Sequence, residues 1–339
     1  MTESRTPTKV LAWATNPVCA LYRIKAPLSA LANEGSIELL LTEVFDEAVF
    51  HKLLHWAEVF IIQRARVDDT LAEVIRQAKR AGVRIVYEID DDLLAIADSP
   101  SLESLMAPED LLAIERGLIQ ADSIHVSTPV LEERYAQYGE VVLLPNAFPL
   151  TPPPLSEKEP NPSRLRIFYG AGRWHRPDWD YVVVPLSQAL ASVSERFQLE
   201  IDVELMGATW APPANTEQIR YTVTAPQPWT TYLEAMARAD IALMPLEPNA
   251  HTDGKSPIKF YEAAAMGTVA VGLGNIYRDT IDSGVTGFCA ADPNDFARLV
   301  AKLCHNPVVR DELRRNAHQW LRDNALTSHL LPRWRAALA

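Results

Sequence analysis

The sequence predicts an α/β protein of two domains, each a parallel sheet wrapped by helices. Two observations carry that expectation: short apolar runs alternate with helical stretches, and a proline-rich break divides the alternation in two. A third is length, because 339 residues exceed one ordinary domain and suit two of about 150 each.

In the amino-terminal half the apolar runs fall at 9–13, 37–41, 59–62, 84–89, 123–126 and 141–144. They are too short for helices and suit strands buried on both faces of a parallel sheet. Helical stretches such as 69–81, closed by Gly82, and 107–121 separate them. Such βα units cross over right-handedly and place helices on both faces. Between Pro149 and Pro162 lie six prolines, whose fixed φ and missing N–H forbid a helix or a central strand. A second alternation follows, with strands expected at 166–169, 200–205, 219–223, 241–244, 269–271 and 287–289. Its helices are expected at 182–197, 232–239, 257–266 and 295–303, and 308–338 reads as mostly helical. The expected domains are 1–148, a linker at 149–163, 164–320, and a helical segment at 321–339 that packs back on the first domain. Two such sheets would face a central cleft at the carboxyl ends of their strands, where α/β folds bind ligands.

Composition excludes several functions. Hydrophobic residues make up 48% and charged residues 22%, as in a globular protein with a sizeable core. No apolar run reaches 18 residues, so no membrane span is expected, and the polar stretch 1–9 does not read as a secretory signal. Three scattered cysteines, Cys19, Cys289 and Cys304, argue against a disulfide framework or structural zinc and suit a cytoplasmic setting. The net charge of −12 disfavours nucleic acid as a partner. It leaves room for a local basic pocket and for a peripheral membrane contact.

The segment richest in chemistry is Asp253-Gly-Lys-Ser-Pro-Ile-Lys-Phe-Tyr-Glu-Ala-Ala-Ala-Met-Gly267. Ser256 reads as an N-cap, Pro257 as the first helical residue and Gly267 as the terminator. The N–H groups and positive dipole end of such a helix form an anion site at the sheet's carboxyl edge. Lys255 and Lys259 add cations there, and Glu262 follows Lys259 by three residues on one face. Taken alone, the same pattern also describes a capped helix with a Lys259–Glu262 surface pair worth a few tenths of a kcal/mol.

This segment resembles the donor-binding signature of glycosyltransferase family 4, the group 1 enzymes. Lys255, Ser256, Lys259 and Glu262 match a Lys-Ser-x-x-Lys-x-x-Glu form found with bacterial surface-polysaccharide genes. The resemblance implies a GT-B fold, two Rossmann-like domains about a central cleft, and a nucleotide ribose bound by Glu262. Many members carry a second acidic residue eight positions earlier. Gly254 stands there in this chain, which leaves the sugar contact to neighbouring Asp253 or to backbone groups. Gly170-Ala-Gly172-Arg173 resembles the family's first donor-domain loop, where an arginine binds phosphate. Arg173 is the choice for that role, ahead of His175 and Arg176. Gly274, after the next strand, offers flexible backbone near the phosphates.

On the acceptor side, Gln63-Arg64 and Tyr87-Glu-Ile-Asp-Asp-Asp-Leu93 resemble the same subgroup. Asp90, Asp91 and Asp92 would contact sugar hydroxyls, with Asp91 taking the acceptor's proton, or would simply cap the next helix. Tyr22 and Arg23, read as a loop after the first strand, would face the acceptor. His125, inside a strand, reads as a satisfied core histidine.

The activity implied is transfer of a sugar from a nucleoside diphosphate to a glycan, lipid-linked or other hydroxyl acceptor, with retention. Arg173, Lys255 and Lys259 would stabilise the departing diphosphate, and neither a metal nor a cofactor is expected. The alternatives are a catalytically silent nucleotide-sugar-binding subunit, a sugar-nucleotide epimerase of the same fold, and a non-enzymatic scaffold.

Overall fold

A computed structural model describes residues 6–157, 161 and 163–339. Lys158, Glu159, Pro160 and Pro162 of the expected linker, and the first five residues of the segment read as lacking a signal, lie outside the described residues. The chain divides into two compact units. The first contains the chain up to Leu150, Gly254–Ser256 and Leu326–Ala339; the second contains Thr151–Asp253 and Pro257–Ala325.

The first unit holds strands β1 (Thr8–Trp13), β2 (Ile37–Thr42), β3 (Val59–Gln63), β4 (Arg84–Ile89), β5 (Ser123–Val126) and β6 (Val141–Leu143). They form one parallel sheet in the order β2-β1-β3-β4-β5-β6. The second holds β7 (Arg164–Gly170), β8 (Glu200–Met206), β9 (Ile219–Thr224), β10 (Ile241–Pro245), β11 (Val269–Leu273) and β12 (Phe288–Ala290). Its order is β12-β11-β10-β7-β8-β9, again all parallel. Each apolar run named from sequence lies in one of these strands, with ends moved by a residue or two.

Burial explains the pattern. Every residue of β3, β10 and β11 is buried, whereas edge strands β2 and β9 expose part of one face. The core of the second unit gathers Ile167, Tyr169, Trp179, Leu186, Val203, Leu243, Val271 and Phe296. In the first unit Val10, Ala12, Ile24, Leu28, Ile61 and Val86 pack with Trp334 and Leu338 from the last helix, Thr327–Leu338. The strand order reverses beside β1 in one sheet and beside β7 in the other. In open α/β sheets that reversal leaves a crevice at the carboxyl ends.

Two expectations need correction. The stretch after β1 is not a loop: Pro17–Ala20, a π-helical turn Leu21–Lys25 and Ala26–Asn33 run as continuous helix. That turn points Arg23 into the core, where it is fully buried, donating from Nε to Glu88 (2.6 Å) and from Nη1 to the Leu144 carbonyl. Tyr22 is buried beside it. Neither presents a side chain to an acceptor, because the helix replaces the exposed loop that role required. His125 is a core residue, fully buried, but not a satisfied one: among the described residues neither ring nitrogen has a hydrogen-bond partner. Its neighbours are Glu88 across the β4–β5 ladder and the edge of the Trp334 ring.

Candidate active site

The second unit places its candidate groups at the carboxyl ends of β7 and β10. After β10 the chain makes a short helix, Ala250–Asp253, and then the helix Ile258–Met266. Gly267 terminates the latter in the left-handed conformation, φ +64°. Its start differs from the expectation. Pro257 occupies the N-cap position without a side-chain bond, and Ser256 instead accepts from Asn146 Nδ2 at 2.7 Å within the first unit. Proline is compatible with that place because it has no N–H to satisfy.

Glu262 is buried, not half of a surface pair. Its two oxygens accept hydrogen bonds from Trp229 Nε1 (3.3 Å) and the Tyr232 hydroxyl (3.2 Å). Both donors lie on one face of the helix Trp229–Arg238, three residues apart. Burial, and then the Glu262 charge, push the Tyr232 phenol up, so it remains a donor. Tyr232 in turn requires glycine at the end of β7, since a Cβ on Gly170 would meet its hydroxyl at 2.5 Å.

One turn earlier, Lys259 Nζ donates to the Gly170 carbonyl at 2.8 Å and lies 3.1 Å from His175 Nε2. It is also 5.5 Å from the centre of the Tyr169 ring. The far side of the His175 ring, Nδ1, is 2.7 Å from Asp178 Oδ2. Asp178 is buried and also accepts the Glu247 backbone N–H at 2.7 Å. Burial alone would raise its pKa, but the His175 hydrogen bond and charge, the Glu247 N–H and the Lys259 charge outweigh it and hold the carboxyl below its ordinary value.

Arg173 begins the single turn Arg173–His175 after the exposed Gly172. It is exposed, its guanidinium 5.3 Å from the Trp174 ring centre, and among the described residues it has no hydrogen bond or ion pair. Asp253 accepts from Asn275 Nδ2 at 3.0 Å, just beyond Gly274 at φ +133°. All six of Gly172, Arg173, Lys259, Glu262, Asp253 and Gly274 belong to the second unit; Lys259 meets the Gly170–His175 segment, and Asp253 meets Asn275 beside Gly274.

Lys255 and Ser256 belong to the first unit. Lys255 Nζ pairs with Asp91 Oδ1 at 2.8 Å, and Arg64 Nη1 lies 2.8 Å from Asp90 and 3.3 Å from Asp91. Burial opposes the Arg64 charge, yet Asp90 and Asp91 help to hold it more firmly protonated than a free guanidinium. Asp92 serves the capping role weighed for the triplet: it accepts from the Ala95 N–H (3.2 Å) and pairs with Arg134 (2.5 Å). The three carboxylates thus divide between an ion-paired edge, Asp90 and Asp91, and a structural cap, Asp92. Lys255, expected to act with Lys259, pairs with Asp91 in the first unit.

Residues missed from sequence are Trp229, Tyr232 and Asp178. The spacing of Trp229 and Tyr232 marks a shared helical face but no partner, and Asp178 reads as an ordinary first-turn acid. Among the described residues no group of three or more His, Cys, Asp or Glu is arranged to hold a metal ion, and no helix is long and apolar enough to cross a membrane.

Two Rossmann-like sheets of six parallel strands, with cationic and carboxylate groups at a switch point, define a protein of the GT-B class. Residues 167–306 match the family described as Glycosyl transferases group 1. The second unit thus carries a group 1 glycosyltransferase domain, and the enzyme is a glycosyltransferase. Solved structures share the fold across nearly the whole chain. HepE from Anabaena, in complex with UDP and glucose, is 12% identical, covering 98% of this chain and 99% of its own, with a TM-score of 0.60. Sucrose-phosphate synthase from Thermosynechococcus elongatus is 12% identical, covering 97% and 98%, with a TM-score of 0.61. A putative UDP-N-acetylglucosamine 2-epimerase from Listeria monocytogenes is 13% identical, covering 94% of each chain, with a TM-score of 0.53. No curated protein matches the sequence.

Proposed function

We propose that this glycosyltransferase moves a sugar from a nucleoside-diphosphate sugar to a hydroxyl acceptor, retaining the anomeric configuration and using no metal. The observation that carries the reading is the pairing of a fixed carboxylate, Glu262, with a fixed cation, Lys259, one turn apart at the end of β7. Glu262 would accept hydrogen bonds from the ribose hydroxyls, its orientation already set by Trp229 and Tyr232. As the glycosidic bond breaks, negative charge collects on the diphosphate. Lys259, Arg173 and the start of the Ile258–Met266 helix would stabilise that charge without reorganising. UDP bound to HepE supports a nucleoside diphosphate as the ligand class.

On the acceptor side, Asp91 is the group proposed to take the hydroxyl proton, its carboxylate held in place by Lys255 and Arg64. The acceptor would be a glycan or lipid-linked sugar at the cytoplasmic face of a bacterial membrane, in surface-polysaccharide synthesis. The domain assignment follows: residues up to about 148 serve the acceptor and 164–320 the donor.

The test is diphosphate release from UDP-, GDP- and ADP-sugars, with and without a panel of glycan acceptors and with EDTA present. Acceptor-dependent release that survives EDTA and falls about 100-fold in Glu262→Ala is the expected result. Conversion of the free nucleotide sugar without an acceptor would replace this reading with an epimerase. Binding without turnover would replace it with a silent subunit.

A further inference from the structure

His175 is held between a buried carboxylate and a lysine of the proposed donor site, and those two partners fix its protonation chemistry. A carboxylate only accepts hydrogen bonds and an ammonium only donates them. The 2.7 Å contact with Asp178 therefore places the ring proton on Nδ1. The 3.1 Å contact with Lys259 then leaves the Nε2 lone pair to accept from the ammonium. Asp178 is itself anchored by the Glu247 backbone N–H at 2.7 Å, and the His175 carbonyl accepts from the Tyr169 hydroxyl at 3.1 Å. The orientation of the ring is thus determined from two elements besides its own.

From this geometry we propose that His175 is a positioning residue, which Asp178 holds in the Nδ1–H form so that Nε2 fixes the Lys259 ammonium for the donor diphosphate. The inference rests on the nucleotide-sugar reading and deepens it by naming how the cation is aimed. A lysine is a point charge on a flexible four-carbon stem. Anchoring its head to the Gly170 carbonyl and to His175 reduces the rotamer entropy lost when a ligand binds. A protonated His175 would turn an acceptor into a second donor facing Lys259. Facing the ring are Asp178 on the helix Arg176–Phe197 that follows it, Lys259 on the Ile258–Met266 helix and Tyr169 on β7, with Glu247, after β10, bonded to Asp178. Arg173 and Arg176 flank it in sequence.

The experiment is calorimetric titration of the full chain with UDP, GDP and ADP, on wild type, His175→Ala, Lys259→Met, the double variant and Asp178→Asn. Wild type should bind at least one diphosphate. Lys259→Met and His175→Ala should each weaken that binding roughly ten-fold, the scale of a lost charge-assisted hydrogen bond. The double variant should bind no worse than Lys259→Met alone, because His175 acts only through the lysine. Asp178→Asn keeps the shape but presents an amide N–H to Nδ1, which moves the ring proton to Nε2. It should match His175→Ala in affinity, because a donor then faces Lys259 where an acceptor stood. Additive losses in the double variant, or wild-type affinity in both His175→Ala and Asp178→Asn, overturn the relay while leaving the nucleotide-sugar reading intact. Failure of wild type to bind any of the three diphosphates overturns both.

Discussion

Gly170 shows how one residue without a side chain organises this site. Its carbonyl anchors Lys259, and the space where a Cβ would sit is filled by the hydroxyl of Tyr232, which holds Glu262. Gly170→Ala should displace Tyr232, lower stability by about 1–3 kcal/mol and weaken nucleotide binding, as read by denaturant midpoint and thermal shift. The sequence displayed Gly170, Lys259 and Glu262 but not their connection, because Tyr232 reaches them from a helix 30 residues away. His125 is the converse case, a polar side chain in a core that gives it no partner. Burial, with the charges of Arg23 and Arg84, lowers its pKa from 6.5 to about 3. The unfolded chain therefore binds the proton more readily, and stability present above about pH 6.5 is lost as pH falls toward 3. His125→Leu should match or exceed wild-type stability at pH 7 by about 1 kcal/mol, since it removes two unpartnered buried nitrogens. Its advantage should grow at pH 5, as urea midpoints at the two pH values would report; a loss of stability at pH 5 would contradict this account.

At the scale of elements, the helix Ile258–Met266 was legible at its end and misread at its beginning. Gly267 is required by φ +64°, and a Cβ there would also meet Leu155 Cδ2 at 2.5 Å. Gly267→Ala should cost about 1–2 kcal/mol from the left-handed backbone alone, measured as a lower denaturant midpoint with unchanged slope. The start was misread because Ser256 satisfies every local rule for a cap, yet Asn146, 110 residues earlier, donates to its hydroxyl instead. Local propensity is a weak prior where a tertiary partner competes. The same holds after β1. A short sequence with proline at residue 17 and proline at residue 27 reads as loop, but both prolines stand in the first turn of a helical piece. The π-helical turn between those pieces is what rotates Arg23 inward, and π turns recur where a side chain must be re-aimed.

On the scale of the whole molecule, the chain leaves its first unit at about residue 150, rejoins it over Gly254–Ser256 and returns to it finally at Leu326. The returning helix contributes Trp334, which is buried and stacks 5.6 Å from the Arg23 guanidinium, and Leu338, also buried. Trp334→Ala should therefore destabilise the first unit by about 3–5 kcal/mol, and hydrogen exchange should localise the loss to β1, β3 and the helix Ala26–Asn33. Diphosphate at 100 times its dissociation constant should stabilise the protein by about 2.7 kcal/mol, and Glu262→Ala should abolish that gain.

Sequence by itself determined the α/β class, the twelve strands and the helix carrying Lys259 and Glu262. These follow from periodicity, proline and glycine, which act over a few residues and leave a local trace. Tertiary structure decided which charges are engaged. It gave Lys255 to Asp91, Ser256 to Asn146, Arg23 to Glu88, Lys259 to His175, and His175 to Asp178. Such pairings join groups 3 to 164 residues apart in the chain. Their strength depends on burial and on distances of about 3 Å, quantities that exist only once the sheets have formed.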